Sequence, residues 1–170
     1  MKLYALNTGY LETDKNTVVA CATLGTRSNP HVQNEWIKLP VMAYLIETDD
    51  GYILYDTGSN PEAMNGYWPK TMQEVYPLYQ KDEERLHLDH AGNINLFPHA
   101  DVYVPGEDYK YGLAKVHMNP DRETHGGYIK GDLEAPVKQY HLVDEDFELA
   151  KGVEVVCLAG HTPNLLGLVV

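Results

Sequence analysis

Residues 39–58 read LPVMAYLIETDDGYILYDTG. Two apolar runs rich in β-branched and aromatic residues, VMAYLIET (41–48) and GYILYDTG (51–58), flank Asp49-Asp50-Gly51. Runs of this composition joined through an Asp-Gly pair predict a tight β-hairpin. The second run ends in Asp56-Thr57-Gly58, which sets a carboxylate at the C-terminal end of a strand just before the chain turns. On its own such an aspartate is most often a turn-former.

Outward from this hairpin the chain continues as short strands. KLYAL (2–6) and TVVACATL (17–24) have strand composition. Residues 59–70 are loop by their Pro, Gly and Asn content. Residues 71–86 have helical character interrupted at Pro77. DVYVP (101–105) predicts a strand, 106–116 a helix, and 117–136 is polar and turn-rich. KQYHLV (138–143), DFELA (146–150) and VEVVCLA (153–159) predict strands, the last two joined at Lys151-Gly152, and LLGLVV (165–170) is a final apolar run. Many strands with two or three helices predict a layered, β-rich α/β architecture, as one domain over 1–170. The last run, as an apolar edge, predicts pairing with another chain, that is, self-association.

Composition bounds the function. A hydrophobic fraction of 44% and a charged fraction of 22% are ordinary for a globular protein, and no apolar run approaches a membrane span. The N-terminus lacks the apolar core of a secretory leader, which predicts a cytoplasmic protein with no membrane partner. A formal charge of −12 argues against a nucleic-acid partner, because a phosphate backbone would be repelled. Cys21 and Cys157 are far apart, form no C-x-x-C, and are expected to be reduced, buried thiols on strands.

Chemistry concentrates at 84–93, ERLHLDHAGN. His87, Asp89 and His90 are three potential metal ligands in four positions. In extended backbone, residues two apart share a face and the next points away, so the stretch can offer ligands in two directions. Imidazole with carboxylate favours zinc, iron or manganese over calcium. The following Ala-Gly pair allows a tight turn. Downstream, AGHTPN (159–164) places His161 after an apolar strand at a turn marked by Gly160 and Pro163. A lone histidine in such a place is usually a polar turn residue, and His31, His99, His117, His125 and His141 are expected to be surface histidines.

Taken together, the 39–58 segment, LHLDHAGN (86–93) and GHTP (160–163) resemble, in order and style, the metallo-β-lactamase superfamily, and within it the N-acyl homoserine lactonases. The resemblance implies an αβ/βα sandwich with a two-zinc site at one sheet edge, here incomplete: the first half and the opening strands of the second. It implies a metal-dependent hydrolase that opens a small lactone ring by metal-activated hydroxide, the chemistry of quorum quenching. By position, His87 and His161 would serve the first metal, and Asp89 and His90 the second. Asp89 would also be the catalytic carboxylate that passes a proton to the leaving oxygen. Asp56 would orient the metal histidines by hydrogen bonding. Trp36, Met42, Tyr67 and Trp68 lie in segments that could line an acyl pocket, with ordinary packing the commoner role.

The family's first motif histidine falls on Arg85, whose guanidinium has no lone pair to donate. The charged stretch YQKDEERL (79–86) also replaces the short helix and buried strand that precede the motif in the family. An internal deletion with its junction near Arg85 explains both, and the family's remaining ligands belong beyond Val170, so the chain also reads as C-terminally truncated. Each metal keeps two ligands, where a catalytic zinc normally takes three from the protein. Two further readings stand beside the lactonase: a sister hydrolase of the same fold acting on an ester, thioester or β-lactam, and a non-catalytic remnant.

Overall fold

The computed structural model describes residues 1–79, 91–122, 125–160, 162 and 164–170. Its strands are β1 (Lys2–Asp14), β2 (Trp36–Thr48), β3 (Gly51–Tyr55), β4 (Leu78–Tyr79), β5 (Asp101–Pro105), β6 (Gln139–Val143), β7 (Phe147–Ala150), β8 (Val153–Leu158) and β9 (Leu165–Val169). The helices are α1 (Lys70–Val75), α2 (Gly106–Met118) and α3 (Lys130–Leu133). Among the described residues the strands form three sheets, in the orders β3-β2-β1-β4, β5-β6 and β7-β8-β9. All neighbours are antiparallel except β5 and β6, which run parallel and are joined through α2.

The 39–58 hairpin forms as its composition predicts. Thr48 pairs with Gly51, leaving Asp49 and Asp50 as a two-residue loop. The Thr48 hydroxyl ties the turn by donating to the Gly51 carbonyl at 3.0 Å and accepting from the Asp50 N–H at 3.2 Å. Strand β2 continues backwards past the hairpin, and there it pairs with β1 alone. Pro40 falls in that one-sided stretch, where a residue without an N–H is tolerated. A bulge between Asn7 and Gly9 bends β1, and the displaced Thr8 donates its hydroxyl to the Val41 carbonyl at 2.9 Å.

Two sequence expectations are overturned. Residues 17–24 are not a strand: β1 ends at Asp14, whose carboxylate caps a 3₁₀ turn, Lys15–Thr17, by accepting from the Asn16 N–H at 2.8 Å. The Asn16 side chain then holds Thr23, accepting from its N–H at 2.9 Å. Local side-chain-to-backbone bonds win here, where Val18 and Val19 pair with no strand among the described residues and stand exposed. Cys21 is consequently an exposed loop thiol with φ of 61°, not a buried strand residue, whereas Cys157 does lie half-buried on β8. The helix expected over 71–86 ends at Val75, ahead of Pro77, and Leu78–Tyr79 pairs with Tyr10 and Leu11 as β4. Residues 80–86 of that expectation lie outside the described residues.

The core of the first sheet is Leu11, Val41, Ala63, Trp68 and Leu78, with Leu39, Met64, Tyr67, Met72, Tyr76 and Ile129 packed around it. Leu39 lies opposite Leu11 and two residues before Val41, so the three share one face of the β1-β2 ladder. The segment after the hairpin crosses this face and plugs it with Trp68, which is 3% exposed. The indole is therefore core rather than pocket lining, as ordinary packing would have it. Trp68→Ala is expected to cost about 3–5 kcal/mol in denaturant unfolding, the usual loss for truncating a buried large aromatic.

Candidate functional site

Asp56 closes the hairpin in a left-handed backbone conformation, φ 70°, which aspartate tolerates better than most residues. Its Oδ1 accepts from the Gly58 N–H at 3.0 Å, so the Asp56-Thr57-Gly58 turn is locked by its own first side chain. Left-handed non-glycine residues concentrate at functional loops.

The segment that follows the histidine motif is built onto this turn. The Gly92 N–H donates to the Gly58 carbonyl at 3.2 Å. The Asn93 side-chain amide donates to the Thr57 carbonyl at 3.0 Å and to the Ser59 carbonyl at 2.8 Å. Its backbone N–H reaches the Thr57 hydroxyl at 3.4 Å, and the Asn60 amide reaches the Gly92 carbonyl at 3.4 Å. Asn93 is 1% exposed and Ser59 fully buried. The Ser59 hydroxyl has no hydrogen-bond partner among the described residues.

The far end of the chain returns to the same place. The Tyr55 hydroxyl, beside Asp56, donates to the Leu166 carbonyl on β9 at 2.8 Å. Burial, and then the Asp56 carboxylate, push this phenol's pKa up, so it is held as a donor. Between β8 and β9 the chain is tied by Gly160 N–H to the Thr162 carbonyl at 3.3 Å, by Thr162 hydroxyl to the Asn164 carbonyl at 2.9 Å, and by the Asn164 amide to the Val143 carbonyl on β6 at 3.4 Å. Residues 92 and 93 thus bond to 57–60, while on the other side Leu166 accepts from Tyr55.

The expected ligands His87, Asp89, His90 and His161, and Arg85 with them, lie outside the described residues. Among the described residues no cluster of three or more His, Cys, Asp or Glu side chains forms that could hold a metal. The other histidines behave as surface groups: His117 pairs with Glu134 at 2.5 Å, His125 with the Asn119 carbonyl at 2.8 Å, and His141 with Asp101 at 3.0 Å. Asn93, Ser59 and Asn60 carry the geometry here, and sequence reading passed over them. The available signal was an asparagine directly after Ala-Gly and a second directly after Gly-Ser, each within a few residues of a candidate ligand or orienting carboxylate.

No family model matches the chain. Among curated proteins it is 31% identical over 204 aligned residues to the N-acyl homoserine lactonase AiiB of Agrobacterium fabrum, covering 99% of this chain and 71% of that protein. The chain belongs to the N-acyl homoserine lactonase family. The lactonase AiiA of Bacillus thuringiensis subsp. kurstaki is 27% identical over 188 residues, covering 96% of this chain and 67% of its own. Solved structures carry the fold. A quorum-quenching N-acyl homoserine lactone hydrolase superposes with a TM-score of 0.74 at 24% identity, over 98% of this chain and 67% of that one. A probable metal-dependent hydrolase from Staphylococcus aureus superposes at 0.60 and 17%, over 98% and 67%. The α/β architecture is thus that of the metallo-β-lactamase fold, over about two thirds of the length of those structures. The 204 positions aligned with the Agrobacterium lactonase exceed the 170 residues of this chain, so at least 34 of its positions inside the matched stretch have no counterpart here.

Asn93→Ala is expected to destabilise the protein by about 1–3 kcal/mol, because it removes hydrogen bonds from a 1%-exposed side chain to two backbone carbonyls. Ser59→Ala is expected to change stability by less than about 0.5 kcal/mol, since its hydroxyl gives up no bond to a described residue. Thermal or urea unfolding of the two variants side by side checks both.

Proposed function

We propose that this chain is a metal-dependent hydrolase that opens the ring of N-acyl homoserine lactones, with a metal site short of its full ligand set. The observation that carries the reading is the bonding of residues 92–93, directly after the first candidate histidine group, to the turn at 57–60 that follows Asp56, in a chain of the lactonase family. Zinc is the proposed metal, and His87, Asp89, His90 and His161 are the residues that would hold it. Two kinds of donor, imidazole nitrogen and carboxylate oxygen, suit that ion in chemistry. Their number suits one ion better than two. A bound divalent ion supplies a nucleophile at neutral pH and polarises the ester carbonyl. Asp89 is the carboxylate proposed to hand a proton to the ring oxygen as it leaves. Asp56, whose turn anchors the 91–93 segment, is proposed to orient the histidines. No helix among the described residues is long and apolar enough to cross a membrane, and we place the protein with its lactone substrate in the cytoplasm.

A second reading, a non-catalytic remnant, is favoured by Arg85 at the place of a motif histidine and by the 34 or more positions missing inside the match. We assign that gap to the junction at Arg85, where the charged stretch 79–86 would meet the remainder of a metal motif. The two readings separate on metal and on turnover. The purified chain is expected to retain less than one equivalent of zinc after dialysis, measured by elemental analysis. Two tightly held equivalents would refute the deletion at Arg85 and require replacement ligands.

Any ring opening, followed as acid release from an N-acyl homoserine lactone, is expected to vanish in both His87→Ala and His161→Ala. Asp89→Asn is expected to lower turnover while keeping some metal. Unchanged turnover in His161→Ala would place the activity elsewhere. Self-association is proposed through β9, an edge strand of the third sheet with Leu165, Val169 and Val170 exposed beside it. Light scattering on a size-exclusion column should then give a mass above 19.2 kDa, and a monodisperse monomer would remove the proposal.

A further inference from the structure

We infer that Ser59 is a positioning residue for the candidate metal site, its hydroxyl taking up its hydrogen bond in the metal-bound protein. Among the described residues, three that carry a hydroxyl are buried: Thr8, Thr13 and Ser59. The Thr8 hydroxyl donates to the Val41 carbonyl at 2.9 Å, and the Thr13 hydroxyl shares a hydrogen with that of Thr17 at 2.9 Å. Ser59 is the exception. The residue is 0% exposed, and its Oγ bonds to no described residue. Buried polar groups are paired as a rule, and one left over requires a reason.

The polar groups around it are already used. The Asn93 amide hydrogens go to the Thr57 and Ser59 carbonyls, and its backbone N–H to the Thr57 hydroxyl. The Gly58 N–H goes to Asp56 Oδ1, and the Gly92 N–H to the Gly58 carbonyl. The Asn60 Oδ1 accepts from the Glu62 N–H, and its amide reaches the Gly92 carbonyl. The turn is thus tied without help from the Ser59 hydroxyl. Alanine would fill the same place without the desolvation cost of an unpaired oxygen. A serine here is explained by a bound state that uses that oxygen. Ser59 lies three residues after Asp56, and its carbonyl holds Asn93, three residues after His90. An imidazole that ligates a metal through one nitrogen carries an N–H on the other, and the acceptor of that N–H fixes the ring's orientation. The candidate set has three imidazoles, of His87, His90 and His161, against one orienting carboxylate, that of Asp56. The Ser59 hydroxyl supplies a further acceptor at the same turn. This inference rests on the function proposed above, because it takes those histidines as ligands.

Zinc affinity of the full 170-residue chain, measured by competition against a chromogenic chelator, tests the inference, with urea unfolding of the zinc-free chain beside it. The zinc of this site is the portion that His87→Ala removes. Ser59→Ala is expected to weaken that binding about tenfold or more, the usual effect of losing a group that orients a ligand, and to leave the zinc-free unfolding midpoint where it was. Thr8→Val removes a bonded hydroxyl elsewhere in the sheet. It is expected to lower the midpoint and to keep zinc affinity within about twofold of the parent. Zinc affinity in Ser59→Ala within about twofold of the parent overturns the inference and leaves the proposed function standing. A lowered zinc-free midpoint in Ser59→Ala also overturns it, by assigning the hydroxyl to a buried water that holds the turn. A parent chain that binds no zinc removable by His87→Ala overturns the proposed function, and this inference with it.

Discussion

One asparagine side chain holds the candidate site to the scaffold. Asn93 spends both amide hydrogens on carbonyls of the hairpin's exit turn, Thr57 and Ser59, in a place from which water is excluded. Both carbonyls lie in an irregular turn, where buried backbone acceptors gain from a partner. Residues 92 and 93 are thereby fixed beside the turn that follows Asp56.

The rest of the fold serves that junction. The β2-β3 hairpin fixes where Asp56 emerges, and the Trp68 plug fixes the segment leaving Ser59 across the sheet face. Tyr55 then ties the exit of β3 to Leu166 on β9. A structural β-hairpin, a core tryptophan and a cross-sheet phenol thus bring together residues more than a hundred positions apart in sequence. Among the described residues, strands β1 to β6 divide between a four-stranded and a two-stranded sheet.

The polar residues that do this work are of kinds sequence reading usually assigns to turns. Asn, Asp, Ser and Thr bond to nearby backbone, and at 14–23 that tendency builds a loop where β-branched composition predicted a strand. At 56–60 and 92–93 the same tendency acts between two segments more than thirty residues apart. The residue types look alike in both places, and the difference is whether a second segment lies within reach.

The sequence by itself determined the hairpin, the order and type of nearly every strand from residue 36 onward, the long helix at 106–118 and the lactonase family, and it names His87, Asp89, His90, His161 and Asp56 as candidates. These follow from local patterns: period-two apolar alternation, turn chemistry, and donor residues at short spacing. Tertiary structure alone decided that residues 17–24 are loop, that Cys21 is exposed, that Trp68 is core, and that Asn93 and Asn60 bond the 92–93 segment to the 57–60 turn. The physical reason is that burial and long-range hydrogen bonding depend on which segments meet. A strand needs a partner to satisfy its backbone, and an amide needs a distant carbonyl to become a brace, and neither is written in the residues adjacent to it.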